Sequence, residues 1–151
     1  MHPLLQPRGI RNNNPGNIRL SAQRWLGQKA AQGDTDFVEF DDPVLGLRAL
    51  MKLLLAYQLR HGLDTVESII NRFAPPHENA TDNYIYAVCR DMKVKRRDVL
   101  RLGDTKTLQG LARAITAHEN GQRPDGTPWY PDDTYARAAL LALQPISSNP
   151  S

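Results

Sequence analysis

Of the 16 acidic residues in this sequence, one stands where an acid is out of place. Glu119 follows Leu108, Leu111, Ala112 and Ile115, which recur at helical spacing. At about 100° per residue, the eleven positions from Leu108 to Glu119 make roughly three turns. Glu119 therefore continues the apolar stripe. A carboxyl on such a stripe is partly desolvated, which favours its protonated form. It also stands at a helix C-terminus, where the backbone dipole disfavours negative charge. A carboxylic acid that keeps its proton near neutral pH is the donor that glycosidic bond cleavage requires. The plain alternative is a frayed helix end, with Glu119 facing water beside Asn120-Gly121.

Such chemistry needs a second group that stabilises an oxocarbenium-like state or activates water, unless the substrate assists itself. The candidates are Glu39, Glu78, Asp34 and Asp36. Glu39 lies in the alternating run Phe37-Val38-Glu39-Phe40, which reads as a β-strand or half of a hairpin. It could equally be an ordinary exposed strand residue. Glu78 lies in the Pro-rich segment Pro75-Pro76-His77-Glu78-Asn79 and could instead order that loop. The Tyr84 hydroxyl could position substrate or a developing charge, or belong to a half-buried helix tyrosine. With no second carboxylate, the chemistry becomes lytic transglycosylation, in which the sugar's own hydroxyl attacks and an anhydro product forms.

The most distinctive stretch is Arg8-Gly9-Ile10-Arg11-Asn12-Asn13-Asn14-Pro15-Gly16-Asn17-Ile18-Arg19, followed by Trp25-Leu26-Gly27. Asn, Pro and Gly in this density specify tight turns. The amides either pin loop backbone or bind sugar hydroxyls and N-acetyl groups. Trp25 either stacks on a sugar ring or fills the core.

These residues need elements to hold them. Residues 8–42 show little helical periodicity and are expected to form a small β lobe. A long helix follows, capped by Asp42 with Pro43 at its first position and ended by Gly62. Its stripe is Val44, Leu47, Met51, Leu54 and Leu55. Thr65 caps a second helix, which Pro75-Pro76 stops. A third runs from about Thr81 to Met92, with Ile85, Val88, Cys89 and Met92 on one face. Lys95 to Leu102 reads as a short fourth helix. The fifth starts near Thr105 or Thr107 and carries Glu119. The last spans about Asp132 to Leu143, and the tail from Pro145 is expected to fray. The fold expected is mainly α, with a small β lobe, in one domain.

The bulk properties bound the rest. The chain has 151 residues, 40% hydrophobic and 23% charged, enough for one core without disulfides. Cys89 is the sole cysteine, so an intrachain disulfide is excluded. On the apolar stripe, it reads as a small buried thiol and not a nucleophile. No segment approaches a membrane span, and Met1 to Arg11 lacks the apolar run of a signal peptide. A target outside the cytoplasm would then require delivery by a holin, a virion or a secretion apparatus. The net charge of +3 is modest. The basic run Lys93, Lys95, Arg96, Arg97 and Arg101 is interrupted by aspartates and lacks interleaved aromatics, which argues against nucleic acid as a partner.

The motifs from Arg8 through Thr65, Ala74-Pro75-Pro76-His77-Glu78-Asn79, Thr81 and Tyr84 resemble a group of phage and prophage proteins described as virion structural or cell-wall lytic proteins. The resemblance covers roughly residues 8–92. A second resemblance is to bacterial glucosaminidase domains of the lysozyme superfamily. There a Glu-bearing helix precedes an Asn-rich turn, a Trp-x-Gly and an Ala-Thr-Asp-x-x-Tyr segment. Asn14-Pro15-Gly16-Asn17-Ile18-Arg19, Trp25-Leu26-Gly27 and Ala80-Thr81-Asp82-Asn83-Tyr84 are similar to the last three. No Glu helix precedes the turn here. One resembling it, Leu111 to Gly121, stands at the other end. The resemblance thus implies a circularly permuted lysozyme-like domain acting on peptidoglycan glycan strands. It implies Glu119 as the acid, Glu39, Glu78 and Tyr84 as its helpers, and Asn14, Asn17, Arg19, Trp25 and Thr81 along the substrate. It implies no cofactor and no metal.

Two other readings stay open. His-Glu-Asn occurs at His77–Asn79 and again at His118–Asn120, so a zinc amidase or peptidase is conceivable, although no pair has His-Glu-x-x-His spacing. A non-catalytic virion or wall-binding protein is the other.

Overall fold

A computed structural model describes residues 6–77 and 79–145. Its six helices are α1 (Arg8–Arg11), α2 (Pro43–His61), α3 (Val66–Phe73), α4 (Thr81–Met92), α5 (Thr105–Asn120) and α6 (Asp132–Leu143). The protein is mainly α. Local chemistry sets most of the boundaries. The Asp42 side chain accepts from the Val44 N–H at 2.7 Å, Pro43 opens α2, and Gly62 closes it at φ 65°. Thr65 and Ser68 form a reciprocal capping box at the start of α3. Asp104 caps α5.

α2 is the central helix. Leu47, Leu50, Met51 and Leu54 are fully buried, each worth roughly 1.5–3 kcal/mol of transfer free energy. Its widest contact is with α6, while α5 packs against both α4 and α6. One hydrophobic core runs through all of these and takes in Val38 and Phe40 from the N-terminal loops. No helix among the described residues is long and apolar enough to cross a membrane.

Two expectations are corrected. The β lobe shrinks to two isolated antiparallel bridges, Arg19 to Phe37 and Gln28 to Phe40. Side-chain amides take up much of the backbone bonding that a sheet would supply: Asn14 serves Ile18 and Val38, and Gln32 serves Asp34 and Phe37. Lys95 to Leu102 is not a helix. Its backbone bonds elsewhere, Leu100 N–H to Asp64 O at 2.6 Å and Leu102 N–H to the Gln58 side chain at 3.2 Å. Leu100 and Leu102 bury at a spacing of two, as extended chain does. A four-residue helix, α1, was not expected at all. Beyond Pro145 the expected tail lies outside the described residues.

Candidate active site

The Asn-rich turn is built by its own amides. Asn12 donates to the Asp34 carboxylate at 3.0 Å, and Asn13 to Phe40 O at 3.0 Å. Asn14 donates to Ile18 O and Val38 O and accepts from the Ile18 N–H. Asn13 and Asn17 sit at φ 52° and 51°, the left-handed region that Asn tolerates better than most residues. Helix α2 presses directly against this turn at Gly46. A Cβ there would lie 1.7 Å from the Asn13 carbonyl oxygen, so only glycine permits the approach.

Asn17 breaks the pattern. Its amide turns to α5 and donates to Glu119 Oε1 at 2.9 Å, joining residues 102 positions apart. The end of α5 is held in place for this contact. Asn120 is buried and donates to Pro15 O at 2.8 Å and Thr116 O at 3.0 Å. Trp129 Nε1 donates to the Asn120 and Gly121 carbonyls, which the end of the helix leaves free.

Glu119 is half-buried and lines a cleft of about 420 Å³. Asn17, Arg19 and Phe37 line it from the loops, Tyr57 and Phe73 from α2 and α3, and Asn79 from the segment before α4. Tyr84 is 2% exposed, stacked on His118 at 3.8 Å with Phe73 edge-on at 6.5 Å. Burial first, and then the charge and acceptor oxygen of Glu119, push its phenol well above the ordinary tyrosine range. The hydroxyl is near enough to feel Glu119, yet it makes no well-aligned hydrogen bond. It is a neutral donor held beside a carboxylate.

The structure thus brings Glu119, Asn17 and Arg19 together on the cleft, keeps Tyr84 near Glu119 but buried and off the lining, and separates the rest. Asn14 is fully buried with both ends of its amide bonded, so it braces the turn and has nothing to offer a sugar. Thr81 is buried and donates to Ala74 O at 2.6 Å, pinning the start of α4. Trp25 packs against the core and does not line the cleft. Glu39 also lies off the cleft lining; its carboxylate accepts from the Gly33 N–H at 3.2 Å. Asp34 is held by Arg8 at 2.6 Å and Asp36 by the same guanidinium at 3.1 Å. Glu78 lies outside the described residues. The lining residues Phe37, Tyr57, Phe73 and Asn79 had no sequence signal pointing to a cleft, since each reads equally well as core or loop. Among the described residues, no three His, Cys, Asp or Glu side chains converge as a metal site would require. Cys89 is half-buried, and burial raises its thiol. The basic run is a loop surface on which Arg96 and Arg97 pair with Glu67.

Fold and site together define a mainly helical protein whose N-terminal loops and penultimate helix share a polar-aromatic cleft that holds Glu119. No protein-family model matches the chain. Over 120 residues it is 38% identical to Protein P5 of Pseudoalteromonas phage PM2, covering 78% of this chain and 73% of that protein. The chain belongs to the family of that phage protein.

Proposed function

We propose that this protein cleaves the glycan backbone of peptidoglycan, with Glu119 as general acid. The observation that carries the reading is the Asn17–Glu119 hydrogen bond inside the cleft. It joins the two motifs that the resemblance to a permuted lysozyme-like domain requires to meet. Glu119 gives its proton to the glycosidic oxygen as the C1–O bond breaks. Asn17 fixes one carboxyl oxygen of this cleft-lining residue, and Tyr84 is a positioning residue beside it.

Glu119 is the one carboxylate among the described cleft-lining residues. The second step then falls either to Glu78, the sequence neighbour of the lining residue Asn79, acting on water, or to the substrate itself. In the substrate-assisted route the sugar's own hydroxyl attacks C1, its proton passes to the Glu119 carboxylate, and an anhydro sugar is released. Product mass spectrometry distinguishes that outcome from hydrolysis. The phage relative suits an endolysin or a virion-borne wall enzyme, which a holin or a particle would bring to the wall.

A zymogram on purified peptidoglycan, comparing wild type with Glu119→Gln, tests the reading. The variant should fold normally and lose about 100-fold or more in activity, the scale of a lost general acid. Undiminished clearing by Glu119→Gln would remove Glu119 as the acid. Wall binding with no cleavage by wild type would favour a non-catalytic virion protein instead.

A further inference from the structure

Arg19 is the one cation among the described residues lining the cleft, and it is exposed. Its guanidinium lies 5.1 Å over the Phe37 ring, and the backbone bridge between these two residues fixes the stack. Arg8 lies over the same ring at 4.7 Å, but Asp34 and Asp36 neutralise it. Arg19 has no such partner: among the described residues it forms no ion pair, with Glu119 or any other carboxylate. Tyr57, another lining residue, carries a related contact: Arg72 lies 5.3 Å over its ring and also hydrogen-bonds to it. A guanidinium held over a ring by cation–π attraction can still donate its N–H groups, and that planar fork of donors matches a carboxylate.

We infer that Arg19, stacked on Phe37, is a subsite for a carboxylate carried by the glycan, and that the cleft selects acidic glycans over neutral ones. Arg72, beside the lining residue Tyr57, adds its charge to the same selection. The inference rests on the glycan-cleaving reading of this cleft and adds what the substrate must bear. Carboxylates on lactyl groups or on attached peptides have the required chemistry. A neutral amino-sugar polymer lacks it.

The test compares native peptidoglycan with the same material after its carboxylates are amidated. Both are offered to wild type, Arg19→Gln, Arg19→Lys and Arg72→Gln. Wild type should cleave the native polymer about tenfold or more faster, the factor expected for a charge-assisted hydrogen bond. Arg19→Gln should lose most of that ratio with an unchanged melting temperature, Arg19→Lys should keep part of it, and Arg72→Gln should show a smaller loss. Equal ratios in wild type and Arg19→Gln would overturn the inference. A second arm measures binding of the two polymers by Glu119→Gln, alone and combined with Arg19→Gln. It reads selection whether or not the wild type cleaves. Failure to cleave overturns the catalytic reading only, whereas equal binding of native and amidated polymer overturns the inference.

Discussion

The Asn17 amide reaches across to α5, while those of Asn12, Asn13 and Asn14 bond within the N-terminal loops, to Asp34, Phe40, Ile18 and Val38. If its part is to orient Glu119, Asn17→Ala should lower kcat about tenfold with KM nearly unchanged. It should cost about 2 kcal/mol or more in stability, since the hydrogen bond is lost and alanine must sit at φ 51° in the left-handed region. Steady-state turnover and denaturant melts would check both figures. A change confined to stability would make Asn17 a brace like its neighbours. Asn17→Asp is the sharper variant, since it sets a like charge against Glu119 and should disturb the pH profile as well as the rate. The four asparagines look alike in sequence. Their composition indicates a turn but cannot say which amide faces out, because that depends on where Phe40, Val38 and α5 lie. Thr81 misled for the same reason: its hydroxyl is consumed by Ala74 O, seven residues earlier in the chain.

Helices were legible where their signals were local. Asp42-Pro43, Gly62 and the Thr65 box act within a few residues, and each marks an observed boundary. The helix bearing Glu119 was readable from its stripe and its Asn-Gly stop. The segment Lys95 to Leu102 was not, because Asp64 and Gln58 supply its bonds from outside. The short α1 has too few residues to show a period. Gly46 is a further case, an ordinary-looking glycine one turn into α2 whose need for no side chain comes from the Asn13 carbonyl against it. Gly46→Ala should therefore destabilise by several kcal/mol, against the gain of about 1 kcal/mol that alanine brings to an open helix site. Thermal unfolding decides this. A neutral or stabilised variant would show that α2 can draw back from the turn.

Across the whole molecule, the Arg8–Asp34 pair ties α1 to the loop over it. The Asp34 side chain is only 8% exposed. The Arg8 guanidinium holds its carboxyl well below the usual carboxylate range, helped by N–H groups of Asp36, Asn12 and Phe37 and opposed by burial. A carboxyl depressed in the folded state contributes stability that is complete above its unfolded value, about 4, and is lost as pH falls below it. Denaturant midpoints from about pH 7 down to about pH 2 should show wild type weakening steeply on the acid side. Asp34→Asn should be weaker at neutral pH with a flatter acid limb, and parallel curves would remove the pair from that account. The bond between Asn17 and Glu119 has a consequence of another kind, in time. At roughly 5–20 residues per second, a ribosome adds the 102 positions separating them in about 5 to 20 seconds. Late in that interval the nascent chain carries the Asn-rich turn, Arg19 and Tyr84, but not the glutamate beside them. The long helix α2 also waits for α6, its widest packing partner, which is made later still. Assembly of the cleft is therefore a late event in the life of each molecule, and a chain stalled before α5 would hold every feature of the cleft's loop side and none of its acid.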